Sequence, residues 1–258
     1  MTNVAEKLTT IADNIPKVYD AGKRAGAETN EAFEEGKKAA RLDWWAKYIN
    51  LRPNGIGYVY SGNNLFSGPG WTDDTFDLPY PIQELKRVDE MFKASGRIDL
   101  KGKLGDKLFI KLDNCTNFQN MFYYSGVYNI PALNCSKATS MRSMFDSNSQ
   151  VTNIDEIILP TVTTDFSNMF NNCSALASIR FRGTISQNGI NLQWSKRLDK
   201  DSIVSLVEAL SKSTSGLTVT LSREAVDDAF YASGTAGSST TEWNNLRTSK
   251  SNWTISLV

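Results

Sequence analysis

Histidine is missing from this sequence altogether. Its absence removes the commonest general base, the commonest zinc ligand and every Ser-His or Cys-His mechanism. An excess of one charge is missing too, since 28 Lys and Arg stand against 28 Asp and Glu for a formal net charge of zero. No global basic field draws the chain to nucleic acid or to an anionic membrane. Cysteine is scarce and its count of three is odd, which does not suit a secreted disulfide framework. Cys115, Cys135 and Cys173 are read as reduced, buried thiols, with one bridge plus one free thiol as the alternative. No run of about 18 apolar residues is available to span a bilayer, and the start MTNVAEKLTT lacks the basic-then-apolar order of a secretory signal. The chain is therefore expected to be made in the cytoplasm without a signal peptide and not to insert in a membrane. A Walker-type phosphate loop, a Gly-x-Gly-x-x-Gly fingerprint and a Cys-x-x-Cys pair are absent as well.

What remains is a charge-balanced chain of 258 residues, 40% hydrophobic and 22% charged, which has the composition of one or two globular domains. Residues 1–48 stand apart. Val4, Leu8, Ile11, Ile15 and Val18 follow heptad spacing, and the seam continues through small residues such as Ala25, Ala32 and Ala39. Pro16 suits the first turn of a second helix, with Asn14 as its N-cap. Helices over about 2–13 and 16–48 are expected, either as an arm on the body or as an oligomerising or docking stalk. Residues 49–87 are rich in Gly, Pro and aromatics and read as a connector, with a strand piece at Gly57–Tyr60. Asp73, Asp74 and Asp77 lack the ligand order of a calcium loop and read as turn carboxylates.

The middle of the chain repeats. Met-Phe occurs at 91–92, 121–122, 144–145 and 169–170, with spacings of 30, 23 and 25 residues. Val88, Phe118, Met141 and Phe166 each precede a doublet by three, a spacing that predicts a short helical turn with one buried face. Strand-like pieces follow at Ile98–Leu100, Val127–Ile130, Ile154–Leu159 and Ile179–Phe181, with another at 107–113. A period of 20–30 residues is that of leucine-rich-repeat solenoids, in which no unit buries its apolar side alone. Residues 190–258 read as a terminal cap. Asp199 or Asp201 N-caps a helix through Leu210 that Gly216 ends; LTVTLS at 217–222 is a strand, and helices near 223–232 and 241–248 precede a last strand at 253–258.

The segments NMFNNCSALASI (Asn168 to Ile179), NMFYYSGVYNI (Asn120 to Ile130) and SMFDSNSQVTNI (Ser143 to Ile154) resemble the Met-Phe-x-x-Cys-x-x-Leu unit of BspA-like leucine-rich repeats. Ser125 and Asn148 stand where the first keeps Cys173. The N-terminal AEKLTTIADNIPKVYDAGKRAG, the connector GWTDDTF and the closing Trp253-Thr254-Ile255 are similar to a group of prophage proteins of Gram-positive bacteria. The resemblance implies an α/β chain: a helical stalk (1–48), an aromatic-rich connector and N-terminal cap (49–87), degenerate leucine-rich repeats (88–189) and an α/β cap (190–258). It implies a phage virion protein, part of the tail or baseplate rather than the capsid.

No pair of carboxylates stands out for glycoside hydrolysis among Asp73, Asp74, Asp99, Asp113, Asp155 and Glu156, and no enzymatic activity, metal or cofactor is expected. Asn114, Asn134 and Asn172 each precede Cys and a hydroxyl residue, as a repeat-associated turn does: the amide satisfies backbone groups while the thiol packs inward. The residues left for binding point outward from strands. If Ile179 and Phe181 face in, Arg180 and Arg182 face out; if Leu108, Ile110 and Leu112 face in, Phe109 and Lys111 face out. The function expected is non-enzymatic: docking to other virion proteins through residues 1–48, self-association with a trimer as working number, and presentation of the repeat face to a host-surface polymer or protein. A purely structural adaptor and a bacterial interaction module of the same repeat class are the alternatives.

Overall fold

The Met-Phe doublets set the fold. In the computed structural model of the chain, which describes residues 49–51, 57–59, 65–73, 85, 87–104, 112–231 and 240–258, Met91, Met121, Met144 and Met169 and the phenylalanines after them have no solvent exposure. The rings form a column. Phe92 to Phe122, Phe122 to Phe145 and Phe145 to Phe170 lie 5.3, 5.2 and 5.3 Å apart with interplanar angles of 6°, 3° and 5°. Phe66 extends the column below, 5.1 Å from Phe92 at 20°, and Phe181 closes it above, edge-on at 6.1 Å. The first layer was not among the expected ones: Leu65-Phe66 occupies the place of Met-Phe, 26 residues before Met91.

The doublets sit in turns and not in the helical turns that the i, i+3, i+4 spacing predicts. The residue before each Met and the second residue after each Phe are left-handed: Glu90 and Ala94, Asn120 and Tyr124, Ser143 and Ser147, Asn168 and Asn172, with φ from 50° to 59°. An L-residue costs roughly 1–2 kcal/mol there, least for Asn. The gain is in the direction of the backbone donors. Within a layer the Met91, Lys93 and Ser95 amides donate back to Val88, Glu90 and Phe92, while Val88, Glu90, Phe92 and Ala94 donate to Asn117, Gln119, Met121 and Tyr123 of the next layer. The same relay joins 118–124 to 140–146 and 141–147 to 165–171. A helix would spend those donors internally and leave the layers unconnected.

After each turn the chain enters a parallel strand: β3 (Arg97–Asp99), β4 (Gly126–Ile130), β6 (Asn153–Ile158) and β7 (Ser178–Arg182), with β4 between β3 and β6 and β7 on the far side of β6. A short strand β5 (Leu133–Asn134) also pairs β6. Leu100, expected in a strand, begins helix α1 (Leu100–Leu104) instead. A further column of bridges runs Arg87, Asn117, Ser140, Asp165. Shorter connections follow the Met+4 position, where Ser95, Ser125, Asn148 and Cys173 are all buried. Ser125 Oγ meets Ser95 Oγ at 2.9 Å, Asn148 Nδ2 donates to the Val127 carbonyl at 3.0 Å, and Cys173 Sγ donates to the Phe145 carbonyl at 3.1 Å. The place read as a degenerate Cys is thus a buried polar seam in which each side chain reaches back one layer.

The C-terminal region closes the stack. Asp199 Oδ1 accepts from the Ser202 amide at 2.8 Å and caps α2 (Lys200–Ala209). That helix lies along β7, whose free edge it satisfies: the Ile179 and Phe181 amides donate to Ser202 Oγ and Ser205 Oγ, each at 2.8 Å. An edge that could template another strand is thereby covered. The helix ends at Ala209, and Gly216, with φ +73°, precedes the next strand instead of ending the helix. A second parallel sheet follows, with β9 (Leu217–Leu221) between β8 (Asn191–Leu192) and β10 (Trp253–Leu257), joined by α3 (Arg223–Phe230) and α4 (Thr241–Thr248). Lys250, only 5% exposed, turns its ammonium onto the Glu208 carbonyl at 2.8 Å and onto the Leu210 carbonyl, where the unpaired C-terminal acceptors of α2 welcome a cation.

The chain divides into two units, residues 1–60 and 61–258. In the first, β1 (Ile49–Leu51) and β2 (Gly57–Val59) pair antiparallel, β2 matching the expected strand piece. The expected helices over 2–13 and 16–48, the strand at 107–113 apart from Leu112 and Asp113, and Asp74 and Asp77 lie outside the described residues. The second unit is mixed α/β, with parallel sheets and few helices.

Phe145 has a ring stacked on each face, so Phe145→Ala removes burial and two aromatic contacts at once. It should lower the unfolding free energy by about 3–5 kcal/mol in a denaturant titration. A loss below about 1 kcal/mol would mean that the column carries no such weight.

Candidate binding face on the parallel sheet

The face of the sheet away from the Phe column carries the polar side chains. The register shift between Ile98 and Asp99 turns two successive residues of β4 outward, Tyr128 and Asn129, and the shift between Ile154 and Ile157 does the same in β6 with Asp155 and Glu156. In β4, Val127 and Ile130 are buried while Tyr128 and Asn129 are half-buried on the outer side. Asp99, Asn129 and Asn153 stand in register across three strands. They form a chain of side-chain hydrogen bonds: Asn129 Nδ2 donates to Asp99 Oδ1 at 2.9 Å, and Asn153 Nδ2 donates to Asn129 Oδ1 at 3.1 Å and to Asp155 Oδ1 at 2.9 Å. Lys101, projecting from α1, reaches the same Asp155 oxygen at 2.8 Å.

Around this column the aromatic and charged groups are also engaged. The Arg97 guanidinium lies 4.0 Å from the Tyr128 ring centroid, and the Tyr128 hydroxyl donates to Asp73 Oδ2 at 3.5 Å. Asp73 Oδ1 accepts from the Asp99 amide at 2.6 Å, a bond to the next layer and not the local turn cap expected of it. Desolvation, then the Asp73 and Asp99 charges, raise the Tyr128 phenol above its ordinary pKa against the pull of Arg97. Arg180 and Arg182 are exposed while Ile179 and Phe181 are buried, the alternation expected of β7. Both are paired, Arg180 with Asp201 at 3.2 Å and Arg182 with Glu156 at 2.8 Å. Phe109 and Lys111 lie outside the described residues. The site residues that sequence reasoning did not single out are Arg97, Lys101, Tyr128, Asn129 and Asn153. In-register stacking at about 4.8 Å makes an Asp or Asn at one strand position meet its counterpart on the next. The Asn129–Asn153 match becomes visible only with the strand register, since the two residues stand at different distances from their Met-Phe doublets.

The three thiols do not belong to this face. Cys115, Cys135 and Cys173 are buried and free. Desolvation pushes Cys115 up to about 12 and the other two upward as well. A thiol so placed is a weak nucleophile at neutral pH. Asn134 Oδ1 accepts from the Ser136 amide at 3.1 Å, the turn geometry expected of the Asn-Cys pairs, while Asn114 Oδ1 accepts instead from Lys137 Nζ at 2.7 Å. Among the described residues no group of three acidic or thiol side chains is placed to hold a metal, and no helix is long and apolar enough to cross a membrane.

Comparison with known proteins finds no match: no family model, no curated protein and no solved structure is similar to the chain.

Two measurements test this geometry. Asn129→Asp replaces a donor by a second carboxylate beside Asp99, and should cost about 1–2 kcal/mol at pH 7, recovered as the pH falls below about 4. The raised thiol pKa has the opposite sense. The folded state holds the Cys115 proton more tightly than the unfolded chain does. Its contribution is therefore complete below the unfolded thiol value of about 8.5 and fades as the pH rises towards about 12. Over that window the unfolding free energy should fall more steeply than in Cys115→Ala, by about 1.4 kcal/mol per pH unit; equal slopes would refute the shift.

Proposed function

We propose that this chain is a non-enzymatic virion protein of a phage of Gram-positive bacteria, a tail or baseplate appendage. In this reading it docks to other virion proteins through residues 1–48, as a homo-oligomer. It presents the outer face of a short, degenerate leucine-rich-repeat solenoid to a host-surface polymer or protein. The observation that carries the binding part is the Asp99–Asn129–Asn153 column, whose amides are fixed by one another. A face whose side chains are already held loses little entropy when it meets a ligand. Its remaining donors and acceptors, with Tyr128 and the Arg180–Arg182 pair at its flank, form a continuous strip on the sheet, where stacked-repeat proteins commonly bind. The resemblance of the Met-Phe units and of the N-terminal segment to prophage proteins supports the virion part.

The test uses the full chain and purified Gram-positive cell walls. Wild-type protein should sediment with the walls, and Tyr128→Ala with Arg182→Glu should weaken that binding at least tenfold while leaving the oligomer intact by light scattering. Mass spectrometry of purified virions should detect the chain. Failure of the wild type to bind walls, with the chain present in virions, would favour the structural adaptor.

A further inference from the structure

A second site lies on the C-terminal region, away from the sheet face. Trp194 lies within the turn from Leu192 to Ser195 that leads out of β8, and Ser195 anchors that turn by donating to the Cys173 carbonyl at 3.1 Å. The other described tryptophans have structural partners. Trp71 packs edge-on against Phe66, Trp243 against Phe230, and Trp253 Nε1 donates to the Ser211 carbonyl. The Trp194 indole has no such partner among the described residues and is 43% exposed. It lines a groove of about 640 Å3 together with Gln193, Lys196, the first two turns of α3 and Val258, which is 65% exposed. That volume falls within the range of about 300–1,000 Å3 typical of small-ligand sites.

The opposite wall is hydrophilic and directional. Glu224, Asp227 and Asp228 follow i, i+3, i+4 spacing and so share one face of α3. Lys196 answers Glu224 at 3.1 Å, and Arg223 is turned to the Leu257 carbonyl at 3.5 Å. Asp227 and Asp228 form no ion pair among the described residues. The groove therefore offers an indole flank, an amide at Gln193 and two uncompensated acceptors. Anionic ligands are repelled. A purely apolar ligand would desolvate both carboxylates without recompense. The fitting partner is a flat ring with C–H groups on one face and donors, one of them cationic, around its edge.

We propose that this groove binds an amino sugar, with the pyranose face on the Trp194 indole, the ammonium beside Asp227 and Asp228, and hydroxyls within reach of Gln193. The site is separate from the sheet face, and its occupancy does not depend on a virion role. Calorimetric titration of the full chain with a glucosamine tetramer tests it. Wild type should bind. Trp194→Ala, which leaves the charge untouched, and Asp227→Asn with Asp228→Asn should each weaken binding at least fivefold with unchanged thermal unfolding. The N-acetylated tetramer and tetralysine, which respectively lack the amine and the ring, should each bind at least fivefold more weakly. Arg182→Glu, on the sheet face, should bind as wild type does. Absence of binding at millimolar glucosamine tetramer, equal affinity for either control ligand, or indifference to Trp194→Ala would overturn the proposal.

Discussion

One spacing governs this protein. Parallel strands lie about 4.8 Å apart, and stacked rings prefer centroids a little over 5 Å apart. A chain whose turns bring the same aromatic to the same place in each strand-spaced layer satisfies both at once. The column from Phe66 to Phe170 does so in five successive layers, at 5.1 to 5.3 Å. Every other regularity follows from that coincidence. The layers must hold one register for the rings to meet, so residues at matched strand positions also meet, and the outer face inherits a column of Asp and Asn from the inner column of Phe.

The stack has a direction and therefore two unlike ends. The backbone donors at Val88, Glu90, Phe92 and Ala94 all serve the following layer, and the turns at 118–124 and 141–147 repeat the relay. Left-handed residues make this possible, at a conformational cost that the interlayer bonds and ring burial must offset. At the far end the regular repeat stops, and different devices take over. Phe181 meets Phe170 edge-on instead of stacking, the hydroxyls of Ser202 and Ser205 satisfy the β7 edge, and the buried ammonium of Lys250 settles the end of the capping helix.

Much of this was legible because it lay in periodicity. Four Met-Phe doublets, the apolar residue three before each and the strand after each are positional facts, as are the Asp199 cap and the period-two alternation of Leu217–Leu221. Where the reading failed, two conformations shared one pattern. An i, i+3, i+4 apolar set buries one face of a helical turn, but it also fits a pair of turns that project the same side chains inward. Only the destination of the backbone donors separates them, and that is set by the neighbouring layer. Leu65-Phe66 does not show in the Met-Phe pattern because in that layer Leu fills the volume that Met fills in the others. The outer column was illegible for another reason. Asn129 and Asn153 look like ordinary turn formers until the bulges in β4 and β6 are known, since a one-residue shift moves a side chain to the other face.

The pairing on the sheet face limits how it can bind. Arg180, Arg182, Lys101 and Arg97 already hold Asp201, Glu156, Asp155 and the Tyr128 ring. A ligand that takes one of these groups must displace its partner, so each contact exchanges one interaction for another of similar strength. Exposed ion pairs are individually worth at most about 1 kcal/mol, and the net of such an exchange is smaller still. High affinity from a single copy would therefore need a large apolar anchor, which this face, with Tyr128 as its aromatic, does not provide among the described residues. Many copies change the arithmetic, because linked weak contacts multiply through effective concentration. A rigid, self-paired, charge-balanced surface is poorly suited to tight solitary binding and well suited to display in an array.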